Sequence, residues 1–123
     1  MIDFKNPNLL KLKSAPNAFD SEIAPLLITG EELISTYKTV RDGVVFSNKR
    51  IFVINVQGMT GEKKDITSLP YSKIQAFSTE SAGMMDNDCE LELWFSGLGK
   101  VKLEFTDTTN IAQICKLIST YTL

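Results

Sequence analysis

Two runs of alternating residues stand in the segment CELELWFSGLGKVKLEF, residues 89–105. Every second side chain is apolar in residues 89–95, and again in residues 101–105. Residues 96–99, SGLG, separate the runs and have the composition of a turn. Alternation with a period of two predicts strands with one buried and one solvent-facing side. The segment is therefore predicted to be an antiparallel hairpin, with lysines and glutamates paired across its polar face.

The chain before this hairpin repeats the same signal. Short runs with strand composition alternate with turn residues such as those around Gly43 and Gly58. Residues 51–54 are apolar on both faces, so their strand is predicted to be central. Further strands are predicted at residues 33–39, 44–47, 50–56, 63–68 and 72–80.

The two ends of the chain have a different pattern. Apolar residues at spacings of three and four between Ile111 and Tyr121 predict one amphipathic helix, with Asp107 or Thr108 as its N-cap. Residues 1–28 contain three prolines and few β-branched side chains, and one or two short helices, broken near Pro16, are predicted there.

These patterns predict a mainly β fold. Seven antiparallel strands are expected to form a small sandwich or partly open barrel, which the C-terminal helix closes. The predicted organisation is an N-terminal helical extension, residues 1–28, followed by a single globular domain, residues 29–123.

Composition argues against several classes of function. A net charge of −2 disfavours general nucleic-acid binding, which depends on many phosphate contacts. There is no histidine, the commonest general base and metal ligand, and neither a catalytic motif nor a cofactor is predicted. Cys89 and Cys115 are interpreted as reduced, buried side chains, with a disulfide between them as the alternative. No apolar run reaches membrane-spanning length, and a cytoplasmic location is expected.

Several spaced motifs resemble the bacterial pleckstrin-homology (PH) domains. They are Gly30-Glu31-Glu32, Arg41-Asp42, residues 46–51 (FSNKRI), residues 57–64 (QGMTGEKK), Leu69-Pro70-Tyr71, Ser81-Ala82-Gly83 and residues 90–94 (ELELW). The resemblance implies a PH-like fold, no known catalysis and homo-oligomeric rings. It does not imply phosphoinositide binding, because the turn at residues 39–43 carries one arginine beside an aspartate, where lipid-binding PH domains carry several bases.

Trp94 is the residue that most directly indicates an interface. It lies on the polar side of its predicted strand, where a large aromatic ring needs a cover. The N-terminal section and a neighbouring subunit are the two candidates for that cover. The predicted function is therefore a self-assembling protein-interaction or scaffold domain. Its candidate oligomer interface consists of Met84, Met85, Glu90, Glu92 and Trp94.

A second candidate surface is basic. Its five residues are Arg41, Lys49, Arg50, Lys63 and Lys64. Only Asp42 and Glu62 oppose them in that stretch, so five minus two leaves a local charge of plus three. One alternative is ordinary surface charge. A second is a patch that binds an anion, an acidic partner or, weakly, a membrane surface. A third is head-to-tail contact with the acidic residues 80–92 of a neighbouring copy. Asp86 and Asp88 lack the spacing of a calcium loop, and no metal site is predicted.

Overall fold

The computed structural model describes residues 1–2, 8–61, 63–81, 89–106 and 111–123. These described residues form eight strands and two α-helices, with 3-10 turns at Ala24–Leu26 and Tyr71–Lys73. The bounds are β1 Asn8–Ser14, α1 Asp20–Ile23, β2 Leu33–Lys38, β3 Gly43–Ser47, β4 Arg50–Gln57, β5 Lys63–Pro70, β6 Ile74–Ser81, β7 Cys89–Phe95, β8 Gly99–Phe105 and α2 Ile111–Thr122.

The strands form one open sheet in the order β5-β4-β3-β2-β1-β8-β7-β6. The mainly β fold with a C-terminal helix is confirmed, and the sheet is not closed into a barrel. Two details differ from the prediction. The described sheet has eight strands, and β1 pairs parallel with β8 and antiparallel with β2. β5 and β6 are the two edges of the sheet.

The predicted helix before Pro16 is wrong, since residues 8–14 form β1. Leu9 and Leu12 are both buried, a spacing of three that imitates a helix. In a regular strand residues three apart face opposite sides. The ladder to β8 shifts register between Leu9 and Leu12, and Lys11 in this bulge has φ of +60°. The extra residue turns both leucines to the same face of the sheet.

The predicted second helix of the N-terminal section is present as α1 and the 3-10 turn that follows it. It covers the outer face of the sheet, where Phe19 and Ile23 pack with Val45, Phe52 and Ile54. The Phe19 ring lies so close to Gly43 that the site has no room for a Cβ atom. The division of the chain into residues 1–28 and 29–123 stays a prediction.

The main core lies on the inner face of the sheet. Ile51 and Val53 face it while Phe52 and Ile54 face α1, so β4 is buried on both sides as predicted. The β7 and β8 side chains alternate between buried and half-buried, as the hairpin pattern predicted. α2 packs Ile114 and Ile118 into this core, and Tyr121 stacks on Tyr71 with ring centres 5.6 Å apart. Its predicted N-cap, Asp107 or Thr108, lies outside the described residues.

Candidate functional site

The five bases of the predicted patch are not brought together. β4 runs from Arg50 to Gln57, and Lys63 pairs with Gln57 at the far end of that strand. Seven residue steps of a strand separate the two ends, roughly 23 Å at the usual rise. Lys49 and Arg50 therefore stand at one end of the sheet, and Arg41, Lys63 and Lys64 at the other. The structure thus separates the five bases into two groups, and the binding role of these residues stays a prediction.

Arg50 belongs to a buried network. Its guanidinium donates to both carboxylate oxygens of Glu31, at 3.0 Å each, and the Glu31 side chain is fully buried. The same guanidinium donates to the Leu26 carbonyl oxygen at 2.6 Å and to Ser68 Oγ at 3.0 Å. It also lies 4.3 Å from the centre of the Phe52 ring. Because four of its five N–H groups already donate hydrogen bonds, Arg50 supports the fold at this end of the sheet.

Ser47 and Tyr71 extend that network. Ser47 Oγ donates to Glu31 at 2.7 Å, and the Tyr71 hydroxyl donates to the Ser47 carbonyl oxygen at 2.7 Å. Burial, and after it the neighbouring Tyr121 and Glu31, raise the pKa of Tyr71. The hydroxyl therefore remains protonated and keeps its role as a donor.

Trp94 lies on the outer face of β7, half-buried, between Ala76 of β6 and Lys100 of β8. Lys100 Nζ is 5.9 Å from the centre of the indole ring, a cation–π distance. Phe19 and Ile23 of the N-terminal section cover β3 and β4. Among the described residues, its cross-strand neighbour on the side of the β6 edge is the small side chain of Ala76.

Acidic side chains cross the outer face beside Trp94. Glu80, Glu90 and Glu104 are directly opposite one another on β6, β7 and β8. The predicted cross-strand pairing is confirmed for two lysines, since Lys102 Nζ is 3.3 Å from Glu90 and Lys100 Nζ is 3.7 Å from Glu92. One face of the β6–β7–β8 sheet thus combines an aromatic ring with excess negative charge. Met84 and Met85, the other predicted interface residues, lie outside the described residues.

The two edges of the sheet differ in side chains. β5 carries Lys63, Lys64 and Pro70, and the Ile2 N–H donates to Thr67 Oγ1 of this strand at 2.8 Å. β6 has small or polar uncharged side chains at residues 75, 76, 78 and 79, all exposed, before its first charge at Glu80. Within the described part of the chain, no strand pairs with the outer edge of β6. Sequence reasoning missed this edge because it gave no strand order.

Two hairpin tips carry exposed apolar side chains that the sequence analysis also missed. Val40 in the β2–β3 turn is 94% exposed, and Met59 in the β4–β5 turn is fully exposed. The Arg41 guanidinium, one residue after Val40, donates to the Gly58 carbonyl oxygen, one residue before Met59. Asp42 Oδ1 accepts the Val56 N–H at 2.8 Å. These bonds hold the two tips side by side.

Other features of the described residues carry no chemistry of their own. No group of three potential metal-ligating side chains occurs among them, and none of their helices has both the length and the hydropathy needed to cross a bilayer. One groove of about 320 Å³ lies between the end of β1, the start of α1 and the first residues of β2. A second, about 160 Å³, lies between β2 and α2. Neither is lined by a predicted site residue.

Comparison with known proteins agrees with this architecture. The family description "Bacterial PH domain" matches residues 4–122. Uncharacterized protein YjqA of Bacillus subtilis is 39% identical over 104 residues, which are 83% of each chain. The chain belongs to the bacterial PH domain family, whose members are generally non-catalytic.

Two crystal structures of bacterial proteins resemble the chain closely. One is a protein with a pleckstrin-homology domain from Shewanella loihica PV-4, with a TM-score of 0.79 and 34% identity over 94% of this chain and 100% of that one. The other is a pleckstrin-homology domain from Shewanella amazonensis SB2B, with a TM-score of 0.64 and 42% identity over 85% of this chain and 86% of that one. The PH-like fold expected from the sequence motifs is thereby confirmed.

Proposed function

We propose that this chain is a non-enzymatic protein-interaction module that assembles with copies of itself through β6. The single observation that carries the proposal is the outer edge of that strand, with which no strand of the described residues pairs. Exposed edges present rows of free N–H and C=O groups, and natural proteins protect them with lysine, proline, bulges or a covering segment. Residues 75–79 of β6 have no charged residue and no proline, although the ladder shifts between Ile74 and Ala76.

The position of Trp94 supports the same surface. It stands one strand inside the edge, beside Ala76. A strand added to β6 would place its side chains next to Ala76, within reach of the exposed half of the indole ring. Tryptophan is enriched among the residues that dominate interface energies. Addition of a strand would therefore satisfy the backbone edge and cover the ring in one step.

The acidic row supports contact with a different surface of the neighbouring copy. Glu80, Glu90 and Glu104 lie in line toward the edge, and Lys102 is the one described base that pairs with any of them. The glutamates of this row repel one another. A basic surface on the neighbouring copy relieves that repulsion better than a second acidic row does. Contact between two different surfaces is heterologous, and such contacts close into rings when the rotation between copies permits.

Light scattering coupled to size-exclusion chromatography tests the proposal. The wild-type chain is expected to elute as a multi-subunit species at micromolar concentrations. Ala76→Lys with Thr79→Lys, two exposed positions on β6, is expected to give a monomer, because lysines on an edge strand oppose pairing. The matched control is Ala18→Lys with Thr29→Lys, which adds the same charge at exposed positions outside the sheet and should leave the mass unchanged.

Trp94→Ala provides an independent measurement. Loss of an interface tryptophan typically weakens association by about 2 kcal/mol or more, roughly thirtyfold. The concentration at which assembly is half complete should rise by that factor, while the circular dichroism spectrum stays unchanged. A wild-type chain that remains monomeric at high micromolar concentration would exclude the proposal, and so would assembly that both β6 lysines leave intact.

A further inference from the structure

The first half of β2 lacks a neighbouring strand on one side, although β2 lies inside the sheet. β1 pairs with the second half of β2, and on this side the pairing ends where the Ala15 N–H donates to the Thr36 carbonyl oxygen at 2.9 Å. The chain then turns away from β2, since the Ala15 carbonyl oxygen accepts the Ala18 N–H at 3.2 Å and Asn17 has a φ of +65°. Within the described residues, β3 pairs with residues 33–35 on one side and no strand pairs with them on the side of β1.

The two grooves described above meet beside this stretch of β2. The larger groove, of about 320 Å³, includes residues of α1, which covers the outer face of the sheet. The smaller groove, of about 160 Å³, includes residues of α2, which covers the inner face. Ile34 and Ser35 line both grooves, and Ile34 is 50% exposed. An extended segment laid beside them would point successive side chains to opposite faces of the sheet, and so into the two grooves in turn.

The two grooves differ in chemical character. Tyr37, Ile114 and Leu117 give the smaller groove an apolar wall. Serine, threonine and asparagine side chains line the larger groove together with Asp20, the one charged residue among the described residues that line either groove. No described base forms an ion pair with Asp20. The smaller groove therefore favours an apolar side chain, and the larger groove favours a basic one.

We propose that this β2 gap, defined as residues 33–35 with the two grooves beside them, binds an extended peptide segment of a partner protein. In that segment an apolar residue stands next to a lysine or an arginine. The peptide backbone pairs with β2 in the line that β1 leaves, the apolar side chain enters the groove beside α2, and the basic side chain reaches Asp20. Strand addition of this kind takes affinity from main-chain hydrogen bonds and specificity from pockets for alternate side chains. The inference goes beyond self-assembly through β6 and uses a different strand.

A phage-displayed library of random heptapeptides, selected against the full chain, tests the inference. The enriched peptides should share an apolar residue next to a lysine or an arginine. The most enriched of them, synthesised with a fluorescent label, should bind the chain in a fluorescence-polarisation titration. Replacement of its apolar residue by alanine should weaken binding about tenfold, because less apolar surface is buried.

N-methylation of the same peptide tests the backbone pairing without any change in the protein. Alternate N–H groups of a strand point to opposite sides. Methylation of the set that faces β2 should therefore weaken binding at least tenfold, roughly the loss of one or two hydrogen bonds with their buried acceptors. Methylation of the other set should have much less effect. Equal losses from the two sets would exclude strand addition.

Charge reversal in the protein tests the larger groove. Asp20→Lys should weaken binding of the selected peptide by roughly tenfold or more, and should instead favour a peptide whose basic residue is replaced by glutamate. Glu32→Lys makes the same change in charge at an exposed position that lines neither groove, and it should bind as the wild-type chain does. Ala76→Lys with Thr79→Lys, the change that opposes pairing at β6, should also leave peptide binding unchanged. The two proposals can therefore fail separately.

Four results would overturn the inference. They are a library that yields no enriched sequence, enrichment without the apolar and basic pair, equal losses in Asp20→Lys and Glu32→Lys, and loss of peptide binding in the β6 variant. The last would assign the peptide to the outer edge of β6. A library without enrichment, together with a smaller oligomer in Asp20→Lys, would assign the grooves to contact between copies of this chain.

Discussion

β5 and β6 are the two edge strands of the sheet and each have eight residues. The rest of the described chain makes different contacts with the two strands. β5 is fastened from within the chain. Lys64 pairs with Glu22, Ser68 accepts a hydrogen bond from Arg50, and the N-terminal ammonium group pairs with Asp65. β6 has no comparable connection on its outer edge in the described residues. Within the described residues, the chain itself thus protects the edge of β5 and does not protect the edge of β6.

The largest expected effect concerns the buried pair behind the β5 edge. Glu31→Gln removes the charge that holds Arg50 and leaves a largely buried guanidinium without its partner. Such losses usually cost about 3 kcal/mol or more. The free energy of unfolding, from urea denaturation, should fall by that amount. Glu32→Gln changes the exposed neighbouring residue and should have almost no effect. Equal stability of the two variants would contradict the importance given to this network.

Lowering the pH should reproduce this loss of stability in the wild-type chain. Burial acts to raise the pKa of Glu31, but hydrogen bonds from Arg50, Ser47 and the Ile28 N–H together lower it below its ordinary value of 4.5. The unfolded chain therefore binds this proton first as the pH falls. The stabilisation is complete above pH 4.5 and is lost as the pH falls through the lower, folded-state pKa.

Urea denaturation at a series of pH values measures this loss. The wild-type free energy of unfolding should fall more steeply below pH 4.5 than that of Glu31→Gln. Parallel curves for the two proteins would show that Glu31 does not titrate in this way.

The smallest effect belongs to the surface of β5. Lys64→Ala breaks the ion pair with Glu22, but both side chains are partly exposed. Exposed pairs of this kind contribute about 0.5 kcal/mol or less, and salt weakens them further. Thermal unfolding at low salt should show a slight decrease in stability that disappears at high salt. Lys63→Ala, at the neighbouring exposed position, serves as the control. A loss as large as that of Glu31→Gln would mean that β5 depends on its surface charges.

The sequence predicted those strands and helices that short-range residue patterns determine. The alternation in residues 89–105 fixed both strands of the β7–β8 hairpin and their buried sides, and the apolar stripe from Ile111 fixed α2. β1 was missed because a bulge at Lys11 gives a strand the leucine spacing of a helix. Arg50 was assigned to a surface patch because its partner, Glu31, is 19 residues away. The exposed edge and tips depend on strand order, which local patterns do not encode.

The place of β1 in the sheet has a consequence for how the molecule is made. Thr106, just after β8, donates its backbone N–H to the Leu12 carbonyl oxygen at 2.8 Å, across 94 residues of chain. Segments that far apart in sequence pair late and slow the search for the native state. During synthesis the apolar side of β1 lacks its β8 partner until β2 to β7 have left the ribosome. Until then the nascent chain exposes Leu9 and Leu12. Chaperones that bind apolar segments can bind the chain in this interval.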